Sequence, residues 1–105
     1  MTDAWVDACS IDDVEEEDVM GVKIGDTSVA VYNVEGEFFA SSDICTHGQA
    51  CLSEGIVIGD VIECPLHQGR FKIQTGKALG APVSEALKTF STKVENGRVF
   101  VSITQ

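Results

Sequence analysis

Basic residues are scarce in this sequence: seven lysines and arginines stand against seventeen aspartates and glutamates, a formal charge of -10. So large an acidic excess excludes nucleic acid and anionic membrane surfaces as partners and leaves a basic protein surface as the attractive one. Long apolar runs are missing too, since none approaches the ~18 residues of a membrane-spanning helix. Met1 to Asp18 carry acids where an export signal carries a basic segment followed by an apolar one, so a cytoplasmic protein is expected. There is no repeat, low-complexity tract or linker-like stretch, which predicts one domain over residues 1–105. Nor is there a G-x-G-x-x-G dinucleotide fingerprint, or chain enough for a flavin domain. What is present is ordinary for a packed fold: 44% apolar and 23% charged residues. In a reducing compartment the four cysteines, Cys9, Cys45, Cys51 and Cys64, are expected as ligands or buried thiols rather than disulfides.

Short alternating apolar segments separated by turn formers predict an all-β chain. Trp5 to Cys9 reads as the opening strand, with Ser10 and Asp13 capping a brief helical turn before the acidic run Glu15 to Asp18, taken as solvated surface. Gly21 to Ile24 and Ser28 to Val34 read as strands joined at Gly25-Asp26, and Glu35-Gly36 turns the chain into Glu37 to Ser41. Ile56 to Ile58 and Val61 to Glu63 form a hairpin around Gly59-Asp60, and Asn96-Gly97 joins Thr89 to Glu95 with Arg98 to Ile103. Three segments rich in turn formers remain, Asp43 to Gly55, Pro65 to Gly69 and Gly76 to Val83, and function is expected there. Trp5, Phe38, Phe39, Phe71, Phe90 and Phe100 are expected in the core.

The chemistry-bearing residues are Cys45-Thr46-His47 and, after sixteen intervening residues, Cys64-Pro65-Leu66-His67. Each loop offers one thiolate and one imidazole, and the two loops flank the hairpin 56–63, so strands running out and back deliver both tips to one end of the fold. Both histidines of the chain fall in this pattern. Two readings compete with metal binding, His47 and His67 as satisfied loop polar groups and Cys45 and Cys64 as small buried hydrophobes. Among metal readings, a zinc site also accepts two cysteines and two histidines, although zinc fingers pair cysteine with cysteine and histidine with histidine, unlike C-x-H followed by C-x2-H.

The stretches C-T-H-G at 45–48 and C-P-L-H-Q-G-R-F at 64–71 resemble those of Rieske [2Fe-2S] proteins. Gly76-Lys77-Ala78-Leu79, Ala81-Pro82-Val83 and Leu87-Lys88-Thr89 extend the likeness to the proline loop and terminal strands of soluble bacterial ferredoxins. Within that family the chain is most similar to the ferredoxin components of naphthalene-type aromatic-ring-hydroxylating dioxygenases. The resemblance implies a Rieske-like antiparallel β sandwich or barrel, with a cluster-binding subdomain at about 43–83 made by two loops and a covering proline loop. It implies one [2Fe-2S] cluster held by Cys45 and Cys64 on the inner iron and His47 and His67 on the outer one. Gly48, Pro65 and Gly69 would shape loops whose amides face the sulfides, and Pro82 would cover them. Gln68 and Leu66 would line the docking surface, whereas Cys9 and Cys51 are expected as non-ligands.

The same resemblance implies a carrier without a catalytic site of its own: a cytoplasmic monomer shuttling one electron at a time from an NAD(P)H-dependent flavoprotein ferredoxin reductase to a terminal Rieske oxygenase. The exchange point would be the edge of His47 and His67. An oxygenase needs a further mononuclear iron on two histidines and a carboxylate, and both histidines are already used. Opposite charge on both partners would speed transient docking. Two alternatives stand beside this: a Rieske-like small subunit of a larger reductase of the nitrite reductase type, and a zinc-binding interaction module. The respiratory Rieske pattern carries an additional disulfide and two hydroxyl donors; here Ala50 and Leu66 occupy the disulfide positions, and Gly69 and Phe71 those of the hydroxyls. Fewer donors stabilise the reduced form less, so a redox titration is expected to give a midpoint toward the low end of the family range of about -150 to +300 mV, and one above about +100 mV contradicts the argument.

Overall fold

The computed structural model describes residues 5–46, 50–65, 68–80, 83 and 85–103. Its chain order is β1 (Trp5–Ser10), a 3-10 turn (Ile11–Asp13), β2 (Asp18–Ile24), β3 (Thr27–Val34), β4 (Glu37–Ser42), a second 3-10 turn (Leu52–Glu54), β5 (Ile56–Ile58), β6 (Val61–Glu63), β7 (Arg70–Lys72), β8 (Thr89–Glu95) and β9 (Arg98–Ser102). All strand pairs are antiparallel. β1-β9-β8-β4-β3-β2 form one six-stranded sheet and β5-β6-β7 a second, smaller one. The edges β1 and β2 of the large sheet come into contact, so it curls toward a barrel.

The local rules account for these elements. Ser10 accepts from Asp12 N at 3.1 Å while Asp13 accepts from Ser10 N at 2.9 Å, the capping box expected after the first strand. Asn96 and Gly97 both have positive φ, as the two-residue turn between β8 and β9 requires. β7 and the 3-10 turn at 52–54 were not anticipated: three residues are too few to display a period, and β7 exists because Phe71 is drawn into the core and paired with Ile62 on β6.

β3 is buried on both faces, which is why it reads as a nearly unbroken apolar run. The period of two sends Ala30, Tyr32 and Val34 to one core and Val29 and Val31 to another. The first core also takes Leu52, Val57, Ile62, Phe71, Ile73, Val83 and Leu87 from the small sheet and its loops. The second lies inside the curl of the large sheet and contains Cys9, Val14, Ile24, Ala40, Phe90, Val99 and Val101. Phe71 and Phe90 are core residues as expected, and Phe38 and Phe39 pack against the cores from positions that are partly exposed. Trp5 and Phe100 differ from expectation: both are only half-buried, with the Lys93 ammonium 4.7 Å and 5.8 Å from their ring centres. The run Glu15 to Asp18 is exposed, yet Glu17 reaches the tip of the β5–β6 hairpin, accepting from Gly59 N at 2.7 Å.

Tyr32 is fully buried and shares a 2.7 Å hydrogen bond with Ser41. Burial pushes its phenol far above the ordinary value; the Ser41 bond opposes this and the Asp43 charge adds to it. A raised folded value means stability that is full below the unfolded value of about 10 and lost as pH rises past it. Burial of the Cys9 thiol acts in the same direction. Because Tyr32 is the only tyrosine, tyrosinate absorbance reports it alone. That absorbance is expected to appear together with loss of circular dichroism in an alkaline titration, and its appearance in a folded chain near pH 10 would contradict the burial argument.

Candidate metal centre

Cys45 and Cys64 stand at the heads of two loops of equal span. The amide of Cys45 donates to Ala50 O at 2.9 Å, and that of Cys64 donates to Gly69 O at 2.6 Å. In each case the carbonyl lies five residues on, which closes a short loop and returns the chain beside its cysteine. The first loop leaves β4 and is further closed by an isolated bridge between Ile44 and Cys51 and by Leu52 N donating to Asp43 O at 2.7 Å. The second joins β6 to β7, with Gln68 in the left-handed region just before Gly69. Both thiols are buried, Cys45 at 4% exposure and Cys64 at 0%, and both belong to the core shared by Tyr32, Leu52, Ile62 and Phe71.

A third segment spans the two loops. After β7 the chain turns at Gly76, whose positive φ suits glycine, and runs back along β7 through a Phe71–Ala78 bridge and a Leu79 N to Arg70 O bond of 2.9 Å. Val83, itself buried, packs on Gly69 so closely that a methyl group on Gly69 would collide with Val83 Cγ1. On the other loop, Thr46 Oγ1 donates to Glu85 O at 2.9 Å. The covering segment expected over 76–83 is therefore tied to the second cysteine loop by apolar contact at Val83, and the tie to the first, a hydrogen bond, is made two residues beyond it at Glu85. Pro82 itself, with Ala81, lies outside the described residues, as do His47, Gly48 and the Leu66-His67 pair.

The donor set at this end of the fold fits a soft metal group. Two thiols head matched loops over one apolar core, and Val83 packs against the second of them at Gly69. The other two cysteines are differently placed. Cys9 lies in the second core, where burial raises its thiol. Cys51 is half-buried on the return limb of the first loop, where the negative charge of Asp43, with some burial and the charge of Glu54, pushes its thiol up. Neither Cys9, Cys45 nor Cys51 is in a disulfide. Asp43 was not singled out in the sequence; only its place two residues before Cys45 could have pointed to it.

The class defined so far is a small antiparallel β protein that presents two cysteine-headed loops under a covering segment. Residues 4–91 match the Rieske [2Fe-2S] domain, and the chain belongs to that family, which implies one [2Fe-2S] cluster. It is 50% identical over 103 residues to the ferredoxin component of the naphthalene 1,2-dioxygenase/salicylate 5-hydroxylase systems of a Ralstonia species, covering 98% of this chain and 99% of that one. Among solved structures it is similar to a chain of the complex of reduced oxygenase and oxidized ferredoxin in carbazole 1,9a-dioxygenase, at 39% identity and a TM-score of 0.89, covering 96% of this chain and 94% of that one. A Sphingomonas yanoikuyae B1 ferredoxin matches with a TM-score of 0.91 at 35% identity, covering 96% and 100%. The antiparallel fold expected from the sequence is thus that of Rieske ferredoxins.

The close packing of Val83 on Gly69 generates a prediction. Gly69→Ala is expected to destabilise the protein by about 1–3 kcal/mol in denaturant melts, the usual cost of overpacking. Adding Val83→Ala should recover part of the loss, whereas simply additive losses would show that the two residues do not meet as described.

Proposed function

We propose that this protein is the one-electron carrier of an aromatic-ring dioxygenase system, taking electrons from an NAD(P)H-dependent flavoprotein ferredoxin reductase and delivering them to a terminal Rieske oxygenase. The observation that carries this reading is the pair of buried, cysteine-headed loops closed by one covering segment. It stands in a chain similar over nearly its whole length to ferredoxin components of dioxygenase systems. As a carrier it has no catalytic site of its own.

On this reading Cys45 and Cys64 hold the inner iron and His47 and His67 the outer one. The bound [2Fe-2S] group supplies a one-electron couple, at a potential raised by its neutral imidazole ligands. The chain's own residues keep water from the thiolates, through the apolar core of Tyr32, Leu52, Ile62 and Phe71, and hold the two loops in register, through Val83 and Thr46. Residues 1–105 act as one Rieske domain, with the cluster-binding subdomain at about 43–83. The acidic excess of -10 supports transient docking on basic partner surfaces. The carrier is read as a cytoplasmic monomer; separately, no helix among the described residues is long and apolar enough to cross a membrane.

The test is iron, zinc and acid-labile sulfide per chain on anaerobically purified protein, with an electron paramagnetic resonance spectrum after reduction. Two irons and two sulfides with a histidine-ligated signal are expected from the family chemistry. Cys64→Ser and His67→Cys should abolish or change that signal, while Cys9→Ser and Cys51→Ser leave it intact. Stoichiometric zinc without sulfide would replace the carrier by a zinc-binding module, and loss of the signal in Cys51→Ser would reassign a thiolate.

A further inference from the structure

The neck of the first cysteine loop is a short antiparallel ladder. Leu52 N donates to Asp43 O at 2.7 Å, Ile44 is bridged to Cys51, and Cys45 N donates to Ala50 O at 2.9 Å. At the base of the ladder the Asp43 side chain, 6% exposed, reaches across to the return limb: Oδ1 accepts from Ser53 N at 2.7 Å and Oδ2 from Ser53 Oγ at 2.9 Å. Asp43 N donates to Ser28 O at 3.0 Å, which ties the same point to β3. From β2, Gly21 closes the space: a Cβ there would lie 2.7 Å from Ser53 Oγ and 3.1 Å from Asp43 Oδ2. A glycine inside a strand forfeits side-chain packing, and this close approach is its reason. Ser53 belongs to the 3-10 turn Leu52–Glu54, whose Leu52 is fully buried in the core that holds both thiols. Gly55 ends that turn against the second loop, since a Cβ on it would collide with the carbonyl oxygen of Glu63, the residue before Cys64.

These contacts run without a break from Cys45 to Cys64: the ladder, the Asp43–Ser53 clasp, the 3-10 turn and the Gly55–Glu63 approach. Two ligands of one metal ion must be held to within about 0.5 Å of their productive separation, which side chains alone do not secure unless their backbones are fixed relative to each other. We propose that Asp43 is a positioning residue for the cluster: by clasping Ser53 it fixes the turn that spaces the Cys45 loop from the Cys64 loop, so that both thiols are held ready for one iron. The inference rests on the reading of Cys45 and Cys64 as ligands given above. The chemistry of the clasp separates its shape from its charge. In Asp43→Asn the side-chain oxygen still accepts from Ser53 N and the new amide donates to Ser53 Oγ, since a hydroxyl both donates and accepts, so the clasp survives. Asp43→Ala leaves Ser53 N without its acceptor and opens the neck at its base.

The experiment compares wild type, Asp43→Ala, Asp43→Asn, Ser53→Ala and Gly21→Ala, with Val99→Ala as a control that loosens the other core. Iron and sulfide content, the electron paramagnetic resonance spectrum of the reduced protein, the rate of cluster loss to a chelator and a denaturant melt are read for each. Asp43→Ala should lose its cluster about 10-fold faster, the cost of one unpaired buried group expressed as a rate, and its signal should broaden as the loops sample more than one spacing. Ser53→Ala and Gly21→Ala should move both readouts the same way by smaller factors. Asp43→Asn should keep the wild-type rate and spectrum, and so should Val99→Ala, although its melt is less stable. The wild-type rate in Asp43→Ala overturns the proposal. An Asp43→Asn protein as fast as Asp43→Ala overturns it too, because charge and not the clasp is then the cause, and so does a Val99→Ala protein as fast as Asp43→Ala at comparable stability. Should Asp43→Ala fail to fold by circular dichroism, Ser53→Ala and Gly21→Ala carry the test, and wild-type rates in both overturn the clasp. Wild-type protein that takes up no iron and sulfide defeats the carrier reading and this inference together, whereas a loaded wild type beside an unaffected Asp43→Ala defeats this inference alone.

Discussion

Everything else in this structure leans on a strand buried on both faces. From Val29 to Val34 β3 has water on neither side, so each side chain there must find a packed partner, and the period of two divides the apolar ones between two cores. One face closes the curl of the large sheet. The other, through Ala30, Tyr32 and Val34, is the floor on which the small sheet and the two cysteine loops are laid. A change on β3 is therefore felt at both ends of the molecule, and Tyr32, whose hydroxyl bonds Ser41 on β4, links the floor of the metal centre to the interior of the sheet.

The metal centre is built as a closed circuit of short-range contacts. Each loop is shut by its own cysteine amide, the neck of the first is pinned to β3 by Asp43 N and Ser28 O, and the covering segment bonds one loop while packing on the other. The described ends of both loops are fixed by these bonds without help from a bound group. The ion pairs Arg70–Glu63 and Lys72–Asp60, at 3.1 Å each, add to the outer face of the small sheet, but exposed pairs of this kind contribute little.

The strands of the large sheet were legible because alternation and turn residues are local properties: Gly25-Asp26, Glu35-Gly36 and Asn96-Gly97 each sit where the chain reverses. β7 was not legible, since Arg70-Phe71-Lys72 is too short to show a period and becomes a strand only through its pairing with β6. The half-buried Trp5 and Phe100 were misplaced for a related reason. Large aromatic rings go inside by default, and only the outward register of β1 and β9, with Lys93 laid over both rings, reveals an outer face. At the metal centre the four candidate ligands were visible as a spacing pattern, whereas Asp43 resembles any other loop aspartate until the fold sets Ser53 against its carboxylate.

By itself, then, the sequence determined what depends on neighbours in the chain: strand positions, turns, the acidic charge and the C-x-H and C-x2-H pattern that carries the resemblance to Rieske proteins. Tertiary structure decided which cysteines share a core, that Val83 and Glu85 close over the two loops, and that Ser53 closes on Asp43 across the neck of the first loop. These contacts join residues that are far apart in the chain or lie on opposite limbs of one loop. Packing and buried hydrogen bonds choose among such pairs only once the backbone has brought them together.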